Sequence, residues 1–144
     1  MKIRIQSDDF DVSTELAELN HAQVGALVSF VGTVRSDHGV TQMELEHYPG
    51  MTEKSLTEIA RQARLRWEIS DVVIIHRVGV LQAGAQIVLV ATASRHRGTA
   101  FAACEFIMDY LKTDAPFWKK EHGPHGAHWV DARSTDLSAL DKWR

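Results

Sequence analysis

The sequence is short of several things, and each shortage removes a class of explanation. It has a single cysteine, Cys104, among 144 residues. That excludes a disulfide within the chain and fits a reducing compartment. The N-terminal MKIRIQSDDF contains no apolar core of a leader. No run elsewhere is long and apolar enough to span a bilayer, so a cytoplasmic, membrane-free protein is the expectation. There is no excess of one charge: the formal net charge is -3 and the isoelectric point is near 6.2. A general nucleic-acid binder needs a basic footprint, which is missing. Repeats, low-complexity tracts and linkers are also missing, so residues 1–144 are expected to form one domain. A chain of this length buries roughly two-thirds of its unfolded surface, so it needs no metal or disulfide staple. Nothing calls for a cofactor.

What is present alternates between two periodicities. Lys2 to Gln6 reads as a strand, and Asp11 or Ser13 can cap a short helix through Asn20. VGALVSFVGTVR, residues 24–35, is β-branched and small, and reads as a long strand. Its even positions, from Ala26 to Val34, form the core face. Its odd positions turn polar toward the end and present Thr33 and Arg35. Met43 to Tyr48 is a further strand. Thr52 then caps a helix to about Trp67, with Leu56, Ile59, Ala60 and Ala63 at helical spacing. Asp71 to Val78 and Gln86 to Ser94 are strands, and Ile87-Val88-Leu89-Val90, apolar on both faces, marks a central one. The last helix runs from about Thr99 to Thr113 with Phe101, Cys104, Met108 and Leu111 as its apolar stripe. Pro116 stops it. The tail follows with Trp118, Trp129, Val130 and Trp143 as anchors. This order predicts an α+β fold with a mostly antiparallel or mixed sheet and two main helices.

Charge collects at both ends of the last helix. Arg95-His96-Arg97 opens it, where unpaired N–H groups suit an anion, and Gly98 lets a ligand approach the backbone. Lys112, Lys119 and Lys120 follow at the other end. Cations at both ends of one short unit could converge on one anionic ligand. They could equally be a solvated strand end and a helix C-terminus that favours a cation. Residue types alone leave both open. Cys104, within the apolar stripe, reads as a buried, inert thiol. His122, His125 and His128 could bind a metal, but Gly123, Pro124 and Gly126 make their segment a flexible loop without fitting cysteine or carboxylate ligands. His47 and His76 read as single structural strand residues. Ser29 and Ser94 lack the turn context of a nucleophile.

Four segments carry a resemblance: GALVSFVGTVR, LEHYPGMTEKSL, VVIIHRVGVLQAGAQIVLVATASRHRGTAF and FIMDYLKTDAPFWKKE. In this order they resemble the large, catalytic subunit of molybdopterin synthase, over about residues 24–133. The resemblance implies an α/β-hammerhead type of α+β fold. It implies a sulfurtransferase that converts cyclic pyranopterin monophosphate (precursor Z) into the dithiolene of molybdopterin. The two sulfurs would come from the C-terminal Gly-Gly thiocarboxylate of a small ubiquitin-like partner subunit. A homodimer of large subunits would sit within a heterotetramer. By motif, Lys112 and Lys119 match the catalytic lysines, and Thr33, Val34 and Arg35 a substrate-binding strand end. His96 and Arg97 match phosphate contacts, with Lys120 and Glu121 bordering the pocket. Arg133 matches an arginine given by the neighbouring large subunit. The alternative class is a module that only binds a ubiquitin-like tail or an anionic nucleotide through the same cations. Turnover of precursor Z separates the two.

Overall fold

The computed structural model describes residues 1–130 and 134–144. Two four-stranded sheets carry the chain. The first has the order β1 (Lys2–Gln6), β4 (Asp71–Arg77), β6 (Gln86–Ser94), β2 (Ala26–Thr33). In it β1 runs parallel to β4 and the other pairs are antiparallel. The second has the order β5 (Gly79–Gln82), β3 (Gln42–His47), β7 (Phe117–Gly123), β8 (Gly126–Val130), antiparallel throughout. Four helices complete it: α1 (Val12–Leu19), α2 (Met51–Arg66), α3 (Arg97–Asp114) and α4 (Ser134–Ala139). The architecture is α+β, with α2 and α3 the two main helices. No described helix is long and apolar enough to cross a membrane.

β6 is an interior strand, and its sequence explains why. Val88 and Val90 face the α2–α3 layer with Leu56, Ala60, Ala103 and Ile107. Leu89, Ala91 and Ala93 face α1 with Phe10 and Leu19. A strand covered on both faces must be apolar at consecutive positions. Burying a side chain such as Leu56 or Ile107 stabilises the fold by about 2 kcal/mol. β2 follows the expected alternation less strictly. Val28 and Val34 are covered, whereas Phe30 is 39% exposed on this edge strand. Asp11, not Ser13, caps α1: its carboxylate accepts from the Thr14 amide at 2.9 Å.

Several expectations are corrected. Thr52 does not cap α2. The N-cap is Gly50, whose amide donates to Glu53. Thr52 is fully buried, accepting from the Tyr48 amide at 2.9 Å and donating to the Pro116 carbonyl at 3.0 Å. It thus ties the start of α2 to the turn between α3 and β7. Phe101 is 62% exposed and leaves the apolar stripe of α3, which runs instead through Ala100, Ala103, Cys104, Ile107 and Leu111. The segment after Pro116 is a hairpin, β7–β8, where a loop was expected. Gly126, at φ +90, makes its turn possible, since L side chains rarely adopt that conformation. Trp118 and Trp129 are exposed on this hairpin and are not core anchors, whereas Trp143 packs edge-on against Trp67 and Phe106. β5, inserted between Gly79 and Gly84, was not expected at all.

The Thr52 hydroxyl gives a test. Thr52→Val keeps the volume but orphans the Tyr48 amide and the Pro116 carbonyl. It is expected to cost about 2 kcal/mol in a denaturant melt. A change below about 0.5 kcal/mol would show that this tie does not hold the turn.

Candidate active site

The position of each cation follows from how α3 lies on β6. The Thr92 hydroxyl donates to the Ala100 carbonyl at 2.7 Å, and the Cys104 thiol meets the Val90 carbonyl at 3.6 Å. Four helix residues advance about 6 Å and two strand residues nearly the same. The helix therefore retraces the strand backwards, with Met108 over Val88 and Lys112 near Gln86. In the sheet, His76 of β4 pairs with Val88 and Thr33 of β2 pairs with Gln86. Lys112, His76, Thr33 and Arg35 thus share one end of the first sheet. His96 and Arg97 sit at the other, where Gly25 donates to the Ser94 carbonyl at 2.9 Å. A Cβ at Gly25 would lie 2.2 Å from the Arg95 carbonyl oxygen, so only glycine permits this close approach.

This overturns the idea that both cation groups converge within one chain. From Arg97 to Lys112 the helix rises about 22 Å. One phosphate or carboxylate cannot be gripped from both ends of the same helix. At the His96 end no side chain caps the helix, and the space beside Gly98 is open.

At the Lys112 end the turn after Pro116 returns the chain as β7. Side chains alternate across a strand, so Phe117, Lys119 and Glu121 share one face, in register with His47, Leu45 and Met43. Leu45 is buried there with Val34 and Leu81, so this face looks into the fold. Lys119 engages in an interaction within the fold. Lys120 points to the opposite face, with its ammonium 5.2 Å from the centre of the Trp129 ring and in register with Glu44. The two adjacent lysines therefore serve different surfaces.

Val34 is 2% exposed. Its amide donates to the Ala85 carbonyl and its carbonyl accepts from the Gly84 amide. It fixes the strand end and has no side-chain atom to offer a ligand. Thr33 and Arg35 on either side are exposed, and Arg35 is ion-paired with Asp37. Arg133 lies outside the described residues.

Sequence reasoning missed His76. It is 5% exposed, stacked on Phe117 with ring centres 3.7 Å apart at 15°. Its Nδ1 lies 2.8 Å from the Arg77 carbonyl. Burial, then the charges of Lys112, Lys119 and His47, push its pKa down to about 4 despite that hydrogen bond. The available signal was its place on a strand next to an arginine, which is too common to single it out. Arg77 itself is committed to structure, donating to the Ser7 and Gln86 carbonyls.

Cys104 is 4% exposed, and burial first, then Glu105, pushes its thiol up to about 11. A thiol held protonated makes a poor nucleophile. His122 and His128 lie on opposite faces of the β7–β8 hairpin, since His128 pairs with Glu121 and His122 with Ala127. The His122 Nε2 is buried without a hydrogen bond, 3.7 Å from the Glu44 carboxylate. Among the described residues no three His, Cys, Asp or Glu side chains gather as a metal site. A depression of about 210 Å³ between α2 and α3, lined by residues including Glu58, Arg66, Tyr110 and Asp114, contains none of the candidate residues.

Comparison with known proteins bears on this arrangement. The family model described as MoaE protein matches residues 5–114. The chain is 60% identical to the molybdopterin synthase catalytic subunit of Ralstonia nicotianae, covering 98% of this chain and 83% of that protein. It is 51% identical to the molybdopterin synthase catalytic subunit of Vibrio cholerae, covering 99% and 97%. Its fold superposes with a TM-score of 0.87 on the molybdopterin biosynthesis MoaE protein of Burkholderia ambifaria, at 61% identity over 99% of this chain and 97% of that one.

The buried His76 sets a pH dependence. The unfolded ring takes a proton near its ordinary 6.5, whereas the folded ring resists until about 4. Between those values the unfolded state binds more protons, so stability is lost as pH falls through the window and is full above it. The cost reaches about 3 kcal/mol at the acid end. Melts of His76→Phe are expected to lose this part of the acid slope, and an unchanged slope would contradict it.

Proposed function

As the chain belongs to the MoaE protein family and is an enzyme of molybdopterin synthesis, a sulfurtransferase, we propose how its two cation groups carry that reaction. The substrate is cyclic pyranopterin monophosphate, and the sulfur donor is the C-terminal thiocarboxylate of a small ubiquitin-like subunit. Both are anionic. At 4 Å they would repel by about 4 kcal/mol for an effective dielectric near 20. The Lys112 end offsets that repulsion. Lys112 acts as the acid/base or anchoring lysine, and Lys119 orients the thiocarboxylate or the substrate. Thr33 and Arg35 hold the substrate at the β2 end, and Asp37 keeps the Arg35 guanidinium ordered until an anion replaces it. Glu121 shares the strand face of Lys119. Val34 supports this end from within, and Lys120 borders it from the outer face of β7.

The single feature that supports this reading is that the Lys112 end of α3 and the Lys119 face of β7 both act on the buried His76 ring, against which Phe117 stacks. His96 and Arg97 join by symmetry. Since about 22 Å of helix separates them from Lys112 in one chain, they reach the site from a second copy, and we assign Arg133 to that same contribution. The enzyme is then a homodimer of single-domain chains, residues 1–144, with a small subunit at each end. We assign the reaction to the cytoplasm, whose reducing poise suits a free thiol and a thiocarboxylate.

Lys112→Ala is expected to lose at least about a hundredfold in dithiolene formation from precursor Z and thiocarboxylated partner. Normal turnover would refute the assignment. The second-copy contribution is tested by mixing. Lys112→Ala and Arg97→Ala chains, each inactive alone, should regain about a quarter of wild-type turnover when refolded together, because each mixed dimer keeps one intact site. No recovery would place both groups in one chain's site.

A further inference from the structure

Among the described residues, His76 is a buried titratable group at this end that the proposed mechanism does not use. Its surroundings are specific. The ring belongs to β4 on the face of Val72 and Ile74, which is the face that α2 and α3 cover. It is clamped on two sides, by the Phe117 ring and by the Arg77 carbonyl. A carbonyl only accepts, so Nδ1 carries the ring proton and Nε2 keeps its lone pair. Phe117 and Lys119 are alternate residues on one face of β7, so the stack also fixes where Lys119 starts. The charged and titratable groups that act on the ring are Lys112 from α3, Lys119 from β7 and His47 from β3, with Arg77 beside it in the chain. All are cationic or can become so, and among the described residues none of the largest influences on the ring is a carboxylate.

We propose that His76 is a positioning residue for the Lys112–Lys119 pair, its clamped and unprotonated Nε2 accepting a hydrogen bond from a lysine ammonium during turnover. The inference rests on the reading of that pair as the reaction site. A neutral acceptor suits this place better than a carboxylate. It orients an ammonium without cancelling the charge that the two anionic reactants require. It also stabilises the ammonium over the amine, and so holds up the pKa of the lysine it touches. The same surroundings explain why the ring stays neutral at working pH: burial first, then the charges of Lys112 and Lys119, oppose its protonation.

The test is a pH–rate profile of the complete synthase with precursor Z and thiocarboxylated partner. His76→Phe keeps an aromatic ring against Phe117 and removes Nε2. Its kcat is expected to fall about tenfold with KM changed less than about threefold, and the alkaline limb of kcat is expected to move down by about one pH unit. His76→Gln, which restores an amide acceptor, should move the limb back. A purely structural role would lower activity without moving the limb. An unmoved limb in a folded His76→Phe overturns the proposal. Nitrogen-15 spectra of the wild-type chain decide independently of any variant's folding. The expected state at pH 7 is a neutral ring protonated at Nδ1, and a ring protonated at Nε2 overturns the proposal. Failure of the underlying reading is distinguishable: Lys112→Ala would then retain turnover. A dead Lys112→Ala beside an unmoved His76→Phe limb refutes only the role of His76.

Discussion

The antiparallel lie of α3 along β6 is the constraint from which the rest follows. Two side-chain contacts, from Thr92 and Cys104, set its register. The alanines at positions 91, 93, 100 and 103 are fully buried, so the layers at this end approach closely. Once that register is set, about 22 Å of helix separates the Arg97 and Lys112 ends. One group falls where β6 ends and β2 begins. The other falls where β4 and β2 end and where β7 starts. Distance along the helix thus becomes a division of labour between two faces of the molecule. A twofold dimer is the simplest way to bring such faces together, because it presents each face to its opposite number.

A chain with a net charge of -3 still gathers cations at this end beside Asp37 and Glu121, and several of its other carboxylates are paired elsewhere. Glu15 and Glu18 hold Lys2, Glu58 holds Arg61, and Glu105 and Asp109 hold Lys142. Each such surface pair contributes little stability, about 0–1 kcal/mol. Their arrangement matters more for which carboxylates it keeps away from that end. Arg77 shows the converse. Its guanidinium is spent on the Ser7 and Gln86 carbonyls, and so it holds chain segments and is not offered to an anion. Sequence position beside the site does not make an arginine part of it.

The two-sided apolar run Ile87–Val90 declares an interior strand, and the 3.6-residue periodicity declares α2 and α3. These are local signals and were legible. The hairpin β7–β8 was not. Its strand FWKKEHG mixes aromatics with charge, and its glycines and Pro124 read as a loop when they are in fact its turn. Thr52 illustrates another limit. A threonine near a helix start reads as a cap, but its hydroxyl is spent on Tyr48 and on Pro116, sixty-four residues away. Family motifs supplied Lys112 and Lys119. They did not supply the setting of His76, because that comes from Phe117, forty-one positions later, and from the lysines that the fold brings to it.

The alternation of β7 sharpens what a run of basic residues means. Lys119 and Lys120 look like one patch in the sequence. On a strand they diverge, one toward the interior with Leu45 and Glu121, the other onto Trp129 and opposite Glu44. The inward lysine shares its strand face with the register of the buried Leu45. The outward lysine lies over an aromatic ring on the other face. Two residues of identical chemistry thus acquire different surroundings from a period of two. Had this segment been a helix, both would have lain on nearby faces, and no such separation would exist. The strand, through the tie between Thr52 and Pro116 that positions its start, therefore decides which of the two lysines shares the inward face of β7 with Phe117.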